Sequence, residues 1–128
     1  MKNWKKLFED LERAYKRLEE ALAQEKNEFI RDSAIQRFEF TIELAWKTVK
    51  AYLEEEEKII CNSPRSCIKE AYRVGVINYE PKWLEALNLR NTIAHIYNEK
   101  MAEEVYSKIP EIKEIFKQLK ENLGSRII

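Results

Sequence analysis

Eight consecutive residues, Arg90-Asn91-Thr92-Ile93-Ala94-His95-Ile96-Tyr97, hold the side chains best suited to chemistry, including the only histidine of the chain. Histidine is the side chain whose ordinary pKa, about 6.5, lets it take or give a proton near neutrality. The arginine five residues earlier supplies a permanent cation whose planar fork matches phosphate oxygens. With a phenol two residues further on, the set suits a phosphodiester or a nucleotide. On a continuous helix, at about 100° per residue, Arg90 and Tyr97 share one face while Asn91 and His95 share the next. Arg90 and His95 then stand about 140° apart, so a common ligand needs a long arginine reach or a helix that ends near the histidine. The plainer alternative is a histidine that caps a helix, beside a tyrosine at the core edge with a wet hydroxyl.

The elements that must position these groups are helical. Two glycines and three prolines interrupt 128 residues, and Asp10 and Asp32 are the only aspartates among 23 acidic side chains. Glutamate tolerates helix interiors, whereas aspartate prefers caps and turns. Trp4, Leu7, Phe8, Leu11, Tyr15, Leu18 and Leu22 recur at three- and four-residue steps, which predicts a one-sided helix. From about Phe29 to Glu56 the apolar arc is broader, built from Ala34, Phe38, Ile42, Ala45, Val49 and Leu53 and widened by Ile35, Phe40, Leu44 and Trp46. That breadth predicts a central helix with several neighbours. Its polar residues Glu39, Glu43, Lys47 and Lys50 form either a salt-bridged strip or a source of supporting carboxylates, Glu39 and Glu43, for the site.

Ser63-Pro64 reads as a helix cap and first residue, with Ile68, Ala71 and Tyr72 buried and Gly75 as the stop. A fourth helix is expected from near Pro81, burying Trp83, Leu84, Leu87 and Ala94, and a fifth from about Lys100 to Asn122. Pro110 should kink or break the fifth, and Gly124 should end it. The expected fold is all-α: a single domain over residues 1–128, an up-and-down antiparallel bundle of four long helices and one short helix.

Lys plus Arg and Asp plus Glu number 23 each, so no whole-chain field draws the protein to nucleic acid or membrane, and anion binding must be local. Lys113, Lys117 and Lys120 are interleaved with Glu111, Glu114 and Glu121, which reads as solvated surface. Cys61 and Cys67 are six apart, fitting neither a CxxC site nor a multi-bridge framework, and are expected to be reduced and structural. One histidine and two distant cysteines offer no metal ligand set, and no cofactor is expected. With no apolar leader and no run of eighteen apolar residues, a cytoplasmic protein with no membrane partner is expected.

The block from Ile35 to Leu53, then Ser63-Pro64-Arg65, Glu70-Ala71 and Leu89 to Tyr97, resembles the nucleotidyltransferase substrate-binding protein family of the HEPN superfamily, over nearly the whole chain. The resemblance implies one half of a two-component, toxin–antitoxin-like pair, the other half being a minimal nucleotidyltransferase. The chain lacks the combined Gly-Ser and Asp-x-Asp signature of that enzyme and so is not itself the transferase. The resemblance further implies that Arg90 holds a phosphate, His95 moves protons, Asn91 orients the ligand or His95, and Tyr97 is a target for nucleotide attachment. It also implies a homodimer, since metal-independent cleavage of RNA profits from two histidines and each chain has one. Three functions follow as alternatives: a subunit that binds nucleotide or RNA, or is modified, at the Arg/His/Tyr groove; a dimeric ribonuclease toxin; and a non-catalytic helical interaction module.

Overall fold

Asn27 opens the longest helix, its side chain accepting a hydrogen bond from the Ile30 N–H and so satisfying one of the donors a helix start leaves orphaned. In the computed structural model, which describes residues 4–96 and 98–127, this helix is α2, Glu28–Glu56. It follows α1, Trp4–Ala23. The Trp4 backbone N–H donates to the Glu55 carboxylate, which sets the start of α1 beside the end of α2 and makes the pair antiparallel. Then come α3, Pro64–Arg73; α4, Glu80–Ile93; α5, Glu99–Ile112; and α6, Glu114–Gly124. The central helix touches α1, α3, α4 and α5, as its broad apolar arc requires. The all-helical class is as expected, and no strand occurs among the described residues.

Ser63 caps α3 in a reciprocal box with Ser66, Pro64 opens the helix, and Gly75 follows it with a φ of +82°, a conformation glycine adopts without strain. The fifth expected helix is indeed broken, but at Lys113 rather than at Pro110, dividing it into α5 and α6. Proline removes its own N–H bond to the residue four back, and the helix continues only two residues past it, to Ile112.

The core is held across the bundle by Phe116 on α6. Its ring meets Trp83 of α4 edge-on at 5.8 Å between centroids, Phe38 of α2 at 5.9 Å and Tyr15 of α1 at 6.3 Å. Arg31 of α2, almost wholly buried, bonds Glu99 at 2.5 Å and Glu103 at 3.1 Å, both on α5, and Asp32 at 3.0 Å. That network ties the start of α5 to the start of α2.

Four expectations require correction. Tyr72 is 49% exposed, its place in the core taken by Cys67, and Ala94 is exposed because α4 ends at Ile93. Phe40, counted with the apolar arc of α2, is 46% exposed. The cysteines are joined as Cys61–Cys67, not reduced, with Cα atoms 5.2 Å apart. Six residues of extended chain span about 20 Å, but the first turn of α3 folds Cys67 back beneath Cys61, into the range a disulfide requires. Both sulfurs are buried, and the bridge stands where helix starts often carry an apolar staple. The cystine also takes away the cysteine argument for a reducing compartment.

Candidate functional site at the end of the fourth helix

Arg90 lies in the last turn of α4 with its side chain 25% exposed, and its Nη1 donates to Oε1 of Glu43 at 2.7 Å. Charge assistance makes this a strong hydrogen bond, and it fixes a long, flexible side chain across the α2/α4 seam. The second oxygen of Glu43 accepts from the indole Nε1 of Trp46 at 3.3 Å, while Nη2 of Arg90 reaches Oδ1 of Asn91 at 3.3 Å. Trp46, Glu43, Arg90 and Asn91 thus form one chain of hydrogen bonds. Of the two carboxylates expected to support the site, Glu43 does so directly. Glu39, one turn earlier and half-buried, makes no ion pair among the described residues.

His95 does not continue the helix. Its N–H bonds the Thr92 carbonyl at 2.9 Å in a tight turn, and the Ile96 N–H bonds Ile93 at 3.4 Å. The 140° separation expected on a continuous helix therefore does not apply, and the exposed imidazole sits in a short connection rather than on a helical face. The next helix starts at once: Asn98 caps α5 by accepting from Met101 at 2.9 Å, and Glu99 is gripped by Arg31. The loop bearing His95 is anchored at both ends. Tyr97, expected as the modified residue, lies outside the described residues. Among the described residues no three His, Cys, Asp or Glu side chains converge as a metal cluster.

The seam can hold an anion through Arg90, with an amide one residue and an imidazole five residues further along the chain. Sequence reasoning missed Trp46 and Arg31 as parts of this apparatus. The first was legible as an indole three residues from Glu43 on one helix, the second only once α2 and α5 are seen to meet.

Residues 6–125 match the family described as "Nucleotidyltransferase substrate binding protein like". A Haemophilus influenzae protein named "Probable ribonuclease HepT" is 34% identical over 80 residues, a match spanning 59% of this chain and 55% of that relative. A solved structure from the same organism, described as the fold of a substrate binding domain of a nucleotidyltransferase, superposes with a TM-score of 0.82 at 26% identity, covering 91% of this chain and 98% of that one. A tri-AMPylated Shewanella oneidensis HEPN toxin, solved in complex with its MNT antitoxin, shares the fold with a TM-score of 0.77 at 17% identity, covering 98% and 99% of the two chains.

Proposed function

The chain belongs to the family of proteins like nucleotidyltransferase substrate-binding proteins, and from that premise we propose that it is the helical subunit of a two-component system, binding nucleotide or RNA at Arg90, Asn91 and His95. Its partner is a minimal nucleotidyltransferase, for which Tyr97 is the acceptor. The observation that carries this reading is the bond between Glu43 and Arg90, which holds a phosphate-binding fork in place at the foot of the His95 turn before any ligand arrives. A nucleotide attached at Tyr97, two residues beyond His95 in the sequence, adds anionic phosphate to the chain near its phosphate-binding residues. The Shewanella toxin, AMPylated and bound to its antitoxin, supports the pairing by its fold.

A second reading, a dimeric ribonuclease, is favoured by the Haemophilus relative named as a ribonuclease. In that reaction the ribose 2′-oxygen attacks phosphorus as the bond to the 5′-oxygen breaks, one imidazole taking the 2′-proton and a second giving a proton to the leaving oxygen. Arg90 stabilises the charge gathering on the phosphate. The second imidazole comes from a second chain, and the exposed Phe40 with half-buried Leu44 leaves an apolar strip on α2 beside Glu43 suited to such a partner. Incubating the purified chain with single-stranded RNA, without added metal, separates the two. Turnover that falls about 10²–10⁴-fold in His95→Ala marks the ribonuclease. Binding without cleavage, together with transferase labelling that disappears in Tyr97→Phe, marks the bound and modified subunit. Neither binding nor labelling overturns both.

A further inference from the structure

Below the His95 turn, α4 and α5 enclose a cleft of about 350 Å³ lined by Glu85, Asn88, Leu89 and Thr92 on one wall and Lys108, Glu111 and Ile112 on the other. The α4 residues are spaced i, i+3, i+4, i+7 and the α5 residues i, i+3, i+4, so each wall is one helix face. The floor is apolar, made by the nearly buried Leu89 and Ile112. The rim is polar and partly unused. The Asn88 amide and the Lys108 ammonium make no side-chain hydrogen bond or ion pair among the described residues, and the Thr92 hydroxyl spends its proton on the Asn88 carbonyl, leaving its lone pairs open. Glu85 and Glu111 both face Lys82, at 3.5 and 2.5 Å, and keep oxygens available to other donors.

The lining carries two carboxylates, Glu85 and Glu111, against one ammonium, Lys108, and Lys82 meets both carboxylates from beside the cleft. A phosphate therefore finds no excess of positive charge there. A flat neutral ring gains an apolar floor for its face and donors and acceptors for its edge. Thr92 connects the cleft to the site above, because it lines the one and its carbonyl holds the His95 N–H of the other.

We propose that this α4/α5 cleft is a nucleobase subsite, taking the base of a nucleotide whose phosphate lies at the His95 turn. The proposal rests on the reading of that turn as a nucleotide or RNA site. Asn88 offers a donor beside an acceptor, the pattern that pairs with an adenine edge, and the glutamates accept from exocyclic amino groups such as that of cytosine. An exocyclic amino group meets the two glutamates as a donor, whereas uracil offers them only a ring N–H flanked by carbonyl oxygens, so amino-bearing bases are expected to bind more tightly than uracil.

The test is a titration of the 128-residue ¹⁵N-labelled chain with adenosine, cytidine and uridine, read by amide chemical shifts. Adenosine and cytidine are expected to move the resonances of Asn88, Leu89, Thr92 and Ile112 saturably, with uridine about tenfold weaker, and Asn88→Ala to lower adenosine affinity about tenfold. Asn88 is exposed, and Glu111→Gln, also on the surface, gives an independent variant that should weaken cytidine selectively. Equal response to uridine, shifts confined to other helices, or unchanged affinity in Asn88→Ala overturns the subsite. Because free nucleosides carry no phosphate, this result is separate from RNA binding at Arg90. Nucleosides that bind the cleft while RNA fails to bind the chain would condemn the function proposed above and leave the cleft standing as a base site.

Discussion

Arg90 shows what residue types reveal and what they conceal. Its identity and its distance from His95 make it a candidate phosphate ligand, and the family resemblance gives it that role, yet its partner Glu43 lies 47 positions away, and only the packing of α4 on α2 brings them together. The bond has two effects on an incoming anion: it aims the guanidinium, and it neutralises it. Glu43→Gln keeps an oxygen able to accept the same N–H and removes the charge. Single-stranded RNA is therefore expected to bind the variant about two- to fivefold more tightly at low salt, the advantage shrinking as salt screens the site. A filter-binding series at two salt concentrations checks this, and weaker binding in the variant would show that aim outweighs neutralisation. The cysteines were misread for a related reason, since spacing rules describe motifs while a single bridge depends on where a helix turn places Cα atoms.

At the scale of elements, the periodicity of apolar residues located α1, α2 and α4 and joined α5 and α6 into one, because each buries a stripe against a neighbour. Ends were harder: α4 stops at Ile93, and nothing in its helical pattern distinguishes Ala94 from a core residue. The stop is imposed from the far side of the loop by Asn98 and by the grip of Arg31 on Glu99. This grip is sensitive to acid. Glu99 is held below the ordinary carboxylate range by its bond to Arg31, and Glu103 by bonds to Lys26 and then Arg31. Carboxylates with lowered folded-state values add stability above their unfolded pKa, and that stability is lost as pH falls through the folded values. The melting temperature should accordingly drop on acidification from about pH 5. Arg31→Met should melt lower at neutral pH and show a shallower acid limb, and parallel limbs in a pH series of melts would refute the assignment.

For the molecule as a whole, the balance of 23 basic and 23 acidic groups removes any general attraction for nucleic acid, so the proposed recognition has to be local. The bundle that carries the seam packs most extensively between α1 and α2, and aromatic contacts tie α4 and α6 to that pair. Phe116 touches three of them, so its loss leaves a cavity common to α1, α2 and α4. Phe116→Ala is expected to cost about 3–5 kcal/mol and to lower the melting temperature by on the order of 10 °C or more, measured by calorimetry. A smaller change would mean that the bundle closes around the gap. This shared core was visible in the sequence as apolar stripes, but not which ring would stand at the crossing, since that depends on where Lys113 divides the last two helices.

Trp4 and Trp83 are sealed in the interior at 1% exposure, whereas Trp46 is half-buried with its indole N–H on the carboxylate that holds Arg90. An anion that draws Arg90 away from Glu43 changes the immediate surroundings of that one indole and leaves the other two dark to the event. The intrinsic fluorescence of the chain is thus expected to report occupancy of the proposed site: a shift in emission from Trp46 against a constant background, with no label attached.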